Sequence, residues 1–337
     1  MVQRKFPMFF KKCLQFLMLS FGLFSPFILQ QVNAATPIAI ESGTHILDSQ
    51  DTARTEFGKL VYLSGIVMRS RNTDFGGLSG LQISSDGRRL LAITDKGNWL
   101  EAELVYEGER LTGLADARIS PLLGLDGRPV QGRGNVDAEA LSLDSPGDLT
   151  GPAYVSFEGN HHIYLYPGGM QAKPIPVAAP KELRLAPQNK GIEALARRTD
   201  GALIALTEAW LDDAGNPVGW LINRDKFAKL YLRRERDFSP TDLAFLPDGD
   251  LLVLERRYTV AGGPGVQIRR IKADTLIPDA VLDGEVLINL AARYGIDNFE
   301  GLAARTNARG ETVIYLISDD NFSPLQNNLL LMFRLTH

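Results

Sequence analysis

The sequence predicts an all-β fold, a β-propeller of five blades counted from repeats, with six left open. Three observations carry this. One hairpin-like unit recurs five times, further strand-like runs follow each copy, and no long amphipathic helix stands out.

Each unit has a small or acidic residue before an apolar pair, then a turn, then a β-rich run ending in an acid. The first is Ser79-Gly80-Leu81, a turn at Ser85-Asp86-Gly87, and a run ending at Thr94-Asp95. The second opens at Glu139-Ala140-Leu141 and ends at Phe157-Glu158. The third opens at Glu193-Ala194-Leu195, turns at Asp200-Gly201 and ends at Thr207-Glu208. The fourth opens at Thr241-Asp242-Leu243, turns at Asp248-Gly249 and ends at Leu254-Glu255. The fifth opens at Glu300-Gly301-Leu302 and ends at Ser318-Asp319. Gly-containing turns between β-branched runs read as hairpins. One or two strand-like runs after each hairpin bring the unit to about four strands, the content of a blade. Residues 225–237 read as a helix or, from the alternation of Leu230 and Leu232, as a strand. Residues 59–68 precede the first hairpin, and we expect them to pair with 329–335, closing the ring and removing its sheet edges. A degenerate sixth blade would have to lie in residues 36–58 and 107–137.

Residues 1–34 read as a cleaved signal peptide. Arg4, Lys5, Lys11 and Lys12 open it, an apolar run spans Leu14–Leu29, and Val32-Asn33-Ala34 supplies small residues at the cleavage positions. Pro26 and the polar breaks at Gln15, Ser20 and Ser25 leave the run short for a bilayer span. The expected mature chain, 35–337, is a single domain located in the periplasm or secreted, with no stable membrane anchor. The one cysteine, Cys13, leaves with the signal, which excludes disulfides and thiolate metal sites. The full chain has 36 basic and 40 acidic residues. Without the leader's four basic residues the balance is 32 against 40, which argues against nucleic acid as a partner.

Rotation turns equivalent positions into rings. Glu139, Glu193 and Glu300 share one position, and Asp95, Glu158, Glu208, Glu255 and Asp319 share a second, so eight carboxylates are expected near the axis. Like charges at short range cannot all stay ionised without a cation, a basic partner or a raised pKa. Oxygen donors without thiolates or clustered histidines suit hard ions, calcium above magnesium. The plainer alternative is that these acids cap turns and bond neighbouring blades. Lys96, Lys190, Arg256 and Arg257 lie beside the acids, with Asn160, Asn189, Asn298 and Asn321 adding amides. Such a mixed mouth suits a calcium-assisted phosphate site, in which Asp95, Glu139, Glu193, Glu300 and His161 are the catalytic candidates. Lys96, Asn160, Lys190, Arg256, Arg257 and Asn321 are the substrate-binding candidates. Simple salt bridging explains the basic residues as well. Ser79 lacks the Gly-x-Ser-x-Gly elbow, and Gly262–Gly265 lacks the context of a phosphate loop.

In order, Gly76-Gly77-Leu78-Ser79-Gly80-Leu81, Thr94-Asp95-Lys96-Gly97, Asp137-Ala138-Glu139-Ala140, Ser156-Phe157-Glu158-Gly159-Asn160, Asn189-Lys190-Gly191-Ile192-Glu193-Ala194-Leu195, Leu254-Glu255-Arg256-Arg257-Tyr258, Asn298-Phe299-Glu300-Gly301-Leu302 and Ser318-Asp319-Asp320-Asn321-Phe322 resemble the bacterial esterase-like activity of phytase family. The resemblance covers roughly residues 59 to 337. Lys96 departs from it, standing where the family more often has Arg. The resemblance implies a propeller and hydrolysis of phosphomonoesters or other esters. Two functions follow: an exported, calcium-assisted hydrolase of a small (phospho)ester, or a non-catalytic binding propeller whose acids are structural. Fold does not choose between them.

Overall fold

The computed structural model describes residues 35–132, 136–187 and 190–336. The leader therefore lies outside the described residues, as does Asn189. No helix among the described residues is long and apolar enough to cross a membrane.

Five antiparallel sheets follow one another along the chain. Blade 1 runs outward through Leu78–Ile83, Arg89–Thr94, Asn98–Glu107 and Arg110–Pro121, and Thr36–Pro37 adds its rim. Blade 2 is Ala138–Leu143, Ala153–Phe157, His162–Tyr166 and Ile175–Pro176. Blade 3 is Ile192–Arg197, Leu203–Leu211, Pro217–Asn223 and Lys226–Leu232, with Val281–Leu282 parallel at its edge. The segment that read as helix or strand is thus a strand, held through Val218↔Tyr231 to Asn223↔Lys226. Blade 4 is Ser239–Phe245, Leu251–Thr259, Gly263–Ile271 and Glu285–Ala291. Blade 5 is Asn298–Thr306, Thr312–Asp319, Asn328–Leu335, then Leu60–Arg69 and Glu41–Thr44.

Leu60–Arg69 pairs antiparallel with Asn328–Leu335, from Leu60↔Leu335 to Met68↔Asn328, closing the ring as expected. Residues 36–44 only edge blades 5 and 1, and Arg110–Pro121 is the fourth strand of blade 1. Among the described residues no sixth blade forms from these stretches, and five blades are present.

Turn chemistry sets the hairpins. In four blades an Asp or Asn at the tip accepts the N–H two residues on, as in Asp86 Oδ1 to Arg88 N at 2.9 Å and Asn307 Oδ1 to Arg309 N at 2.9 Å. A glycine at positive φ follows each, for example Gly87 at +73°. Among the described residues the apolar core divides into five clusters, each shared by two neighbouring blades. Trp99 packs edge-on against Tyr166 across blades 1 and 2, centroids 5.2 Å apart. Each fully buried Leu or Phe in these seams contributes roughly 1.5–3 kcal/mol.

The inner strands meet closely round the axis. A Cβ at Gly80 would lie 2.7 Å from Leu141 N of the next blade. Asp242 of blade 4, fully buried, accepts Leu302 N of blade 5 at 2.7 Å and also bonds Leu81 N of blade 1. This carboxylate ties three blades at the waist of the ring.

Candidate active site at the mouth of the ring

One ladder position sets the mouth. Asp95, Glu158 and Glu208 donate their N–H groups to Gly77 O, Asp137 O and Gly191 O of the facing inner strand or its lead-in, and Asp319 pairs with Asn298. In blade 4 the residue at this position is Arg256, paired with Ser239, and not Glu255. Glu255 falls one residue earlier, on the other face of its strand. There its carboxylate accepts Arg269 Nε at 2.6 Å, Arg269 Nη2 at 2.7 Å and Gln267 Nε2 at 2.9 Å, with both Glu255 and Arg269 fully buried. Glu255 therefore leaves the expected acidic ring, and an arginine takes its place.

Every inner strand shifts register at the same level. Glu193 and Glu300 are the extra residues of two such bulges, and Thr241 is that of a third. A bulge re-aims the side chain of its extra residue. Here it brings the inner-strand acids toward those of the second strands.

Three sub-clusters result. Asp95, Asp137 and Glu139, all partly buried, each offer a carboxylate oxygen, and the three oxygens lie within 4.8 Å of one another. Ser79 Oγ donates to Asp95 Oδ1 at 3.1 Å. Gly77 N donates to Asp320 Oδ1 at 3.2 Å, and a Cβ at Gly77 would stand 3.0 Å from Asp95 Oδ2. Gly76 and Gly77, at φ +121° and +58°, let the backbone pass this close. Glu158 accepts Gly191 N at 3.4 Å and shares a side-chain hydrogen bond with Glu193. Glu300 sits 2.7 Å from Arg256 Nε, an ionic contact whose N–H does not point along it. Arg256 Nη2 reaches Glu208 at 3.3 Å, and Asn298 Nδ2 donates to Glu300 at 2.8 Å.

The electrostatics follow from this crowding. Burial, then the charges of Asp319 and Asp137, push Asp95 up to about 8. Glu139 and Glu193 are held well above the usual carboxylate range by loss of water and by neighbouring acids. Glu300 is raised by burial to about 7, with Arg256 opposing, and Asp319 to about 6. Arg256 is pushed up, first by Glu300.

The remaining candidates lie outside these clusters. Lys96 Nζ is exposed, donates to Thr73 O and rests 3.8 Å above the Phe322 ring. Lys190, Asn160 and Asn321 are exposed, and Asn321 gives its backbone N–H to Asp319 Oδ1 at 2.6 Å. His161 is buried with Nε2 3.2 Å from Ala186 O, which sets it as a loop anchor against Gly191. Arg257 lies over Phe238, 5.2 Å from its centroid.

Asp137 was absent from the residues singled out as ligands, yet it belongs to the tightest triad. The signal was present in Asp137-Ala138-Glu139, since residues two apart in extended chain share a face. The triad's all-oxygen donor set fits a hard divalent ion such as calcium.

No curated protein matches this chain. Among solved structures, the β-propeller domain of Myceliophteria thermophila Cps50 (Swd1) aligns with 90% of this chain and 100% of its own, at 9% identity and a TM-score of 0.37. The Phytase-like family, described as esterase-like activity of phytase, matches residues 73–322. With that match spanning well over half of its length, the chain belongs to the Phytase-like family.

Proposed function

We propose that the protein is an exported, calcium-assisted hydrolase of small esters, phosphomonoesters first, acting at the acidic mouth of the ring. The observation that carries this reading is the convergence of Asp95, Asp137 and Glu139 oxygens within 4.8 Å. Three carboxylates at that spacing have little reason to share a site unless they hold protons or a cation. Calcium held there would neutralise ester oxygens and acidify water.

The chain's own groups supply the rest. Ser79 orients Asp95 through its 3.1 Å hydrogen bond. Glu300, raised to about 7, exchanges a proton near neutral pH and is the general acid or base of this reading. Arg256 is fixed between Glu300 and Glu208, so its charge stays aimed at the mouth. The leader motif supports action in the periplasm or outside the cell.

A binding propeller without turnover is the second reading. The backbone N–H groups given to Asp319, Glu158 and Asp320 favour it, since they satisfy acids that need no ion. Assays on p-nitrophenyl phosphate and phytate, with calcium and with EGTA, separate the two. The hydrolase reading expects turnover that EGTA abolishes and Glu300→Gln lowers at least 100-fold. No turnover, with no calcium in purified protein by elemental analysis, sinks it for these substrates.

A further inference from the structure

Beside the acidic mouth lies a cleft of about 570 Å³ between blades 4 and 5. One wall is Arg256, Arg257 and Tyr258 leaving blade 4's second strand; the other is Asp297 and Asn298 with the loop through Leu325 and Gln326, and the Asp297 carboxylate is taken up by Asn327 N at 2.8 Å and Gln326 Nε2 at 3.3 Å. Arg256 and Asn298 are shared with the mouth, since both touch Glu300. The cleft therefore opens onto the carboxylates.

Its two ends differ in chemistry. At the inner end Arg257 has no carboxylate partner among the described residues, and its Nε is buried without a hydrogen-bond partner. This contrasts with Arg256, which two glutamates neutralise. The outer end is apolar and uncovered: Tyr258 is 73% exposed and Leu325 89%. Isolated exposed apolar side chains are ordinary, but here two face one cleft from opposite walls. A guanidinium wanting an anion, next to apolar walls, matches one kind of occupant.

We propose that this cleft binds amphiphilic anions, and that the substrate is an ester whose anionic group meets Arg257 while an aryl or similar apolar body lies against Tyr258 and Leu325. Turnover of this occupant rests on the hydrolase reading, and its binding on the cleft alone. Arg257 supplies charge-assisted hydrogen bonds to the anion. The apolar body gains from leaving water, which a compact polyanion such as phytate would not.

Isothermal titration of the full chain with phenylphosphonate and methylphosphonate, both non-hydrolysable, tests this in calcium-containing buffer. Phenylphosphonate is expected to bind about tenfold or more tighter. Leu325→Ser and Tyr258→Ser should erase most of that preference while leaving methylphosphonate unchanged. Arg257→Gln should weaken both ligands at least tenfold. Equal affinity for the two phosphonates, or a preference that survives both surface substitutions, overturns the cleft assignment. Circular dichroism guards against misfolding, although Tyr258 and Leu325 are too exposed to carry the fold. Binding as expected without turnover of any ester would sink the hydrolase reading and leave the cleft; turnover with equal binding would do the reverse.

Discussion

At the scale of single residues, the mouth separates acids by partner. Asp137 stands in a triad of carboxylates, whereas Glu255 stands in a dry ion pair with Arg269. The two should respond oppositely to substitution. Asp137→Asn is expected to lower calcium affinity about tenfold or more with little loss of stability, because one charge leaves a crowded set. Glu255→Gln is expected to destabilise the protein by about 3–5 kcal/mol, because it leaves the buried guanidinium with only the more distant Asp283, 3.8 Å from Arg269 Nη1, and to leave calcium affinity unchanged. Calcium titration and urea unfolding of both variants check this. A Glu255→Gln variant that loses calcium and keeps its stability would return Glu255 to the ring.

At the scale of strands, the bulges and the close glycines do the positioning. Gly80, at φ +51°, faces Leu141 N at what would be 2.7 Å from a Cβ. Gly80→Ala combines left-handed strain with a backbone clash, and about 1–3 kcal/mol or more of destabilisation is expected. Gly43→Ala is the control, since nothing lies within 4 Å of its Cβ and its φ is not positive. Urea midpoints with unchanged m-values report the difference. Much at this scale was legible in the sequence. Asp-Gly turns announced hairpins, and the apolar run at 59–68 announced the closing strand, because both signals are local. The register of blade 4 was not legible. Lining up Leu254-Glu255 with Thr94-Asp95 follows chemical likeness, but the ladder sets Ser239 against Arg256 and turns Glu255 to the other face. A one-residue slip of this kind exchanges faces, and only the facing strand reveals it. The same limit hid the Asp95–Asp137–Glu139 triad: Asp137 precedes its strand, and its approach to Asp95 depends on two blades meeting.

At the scale of the whole molecule, the acidic mouth links stability to protons. Asp95, Glu300 and Asp319 ordinarily titrate near 3.8, 4.5 and 3.8 and are raised to about 8, 7 and 6. Each raised acid contributes stability that is complete below its unfolded pKa and is lost as pH rises through its folded pKa. Burial lowers His162 to about 4, which works the other way below about pH 6.5, so calcium-free protein is expected to lose thermal stability chiefly between about pH 6.5 and 8. Saturating calcium should flatten that decline, since the ion replaces the protons. Scanning calorimetry in EGTA and in calcium across this range measures both. A melting temperature in EGTA that climbs steadily from pH 5 to 8 contradicts the proton-holding mouth.

The splice of Leu60–Arg69 onto Asn328–Leu335 also bears on how the protein is made. Some 260 residues separate the two halves of that seam, so a nascent chain still hiding its 328–335 stretch in the ribosome holds blade 5 unfinished and the circle gapped. The sheets of blades 1–4 pair from their own neighbouring strands, so closing the ring through blade 5 is the late step of assembly. A chain short of that seam stays threadable, and becomes hard to unravel only once the seam snaps shut.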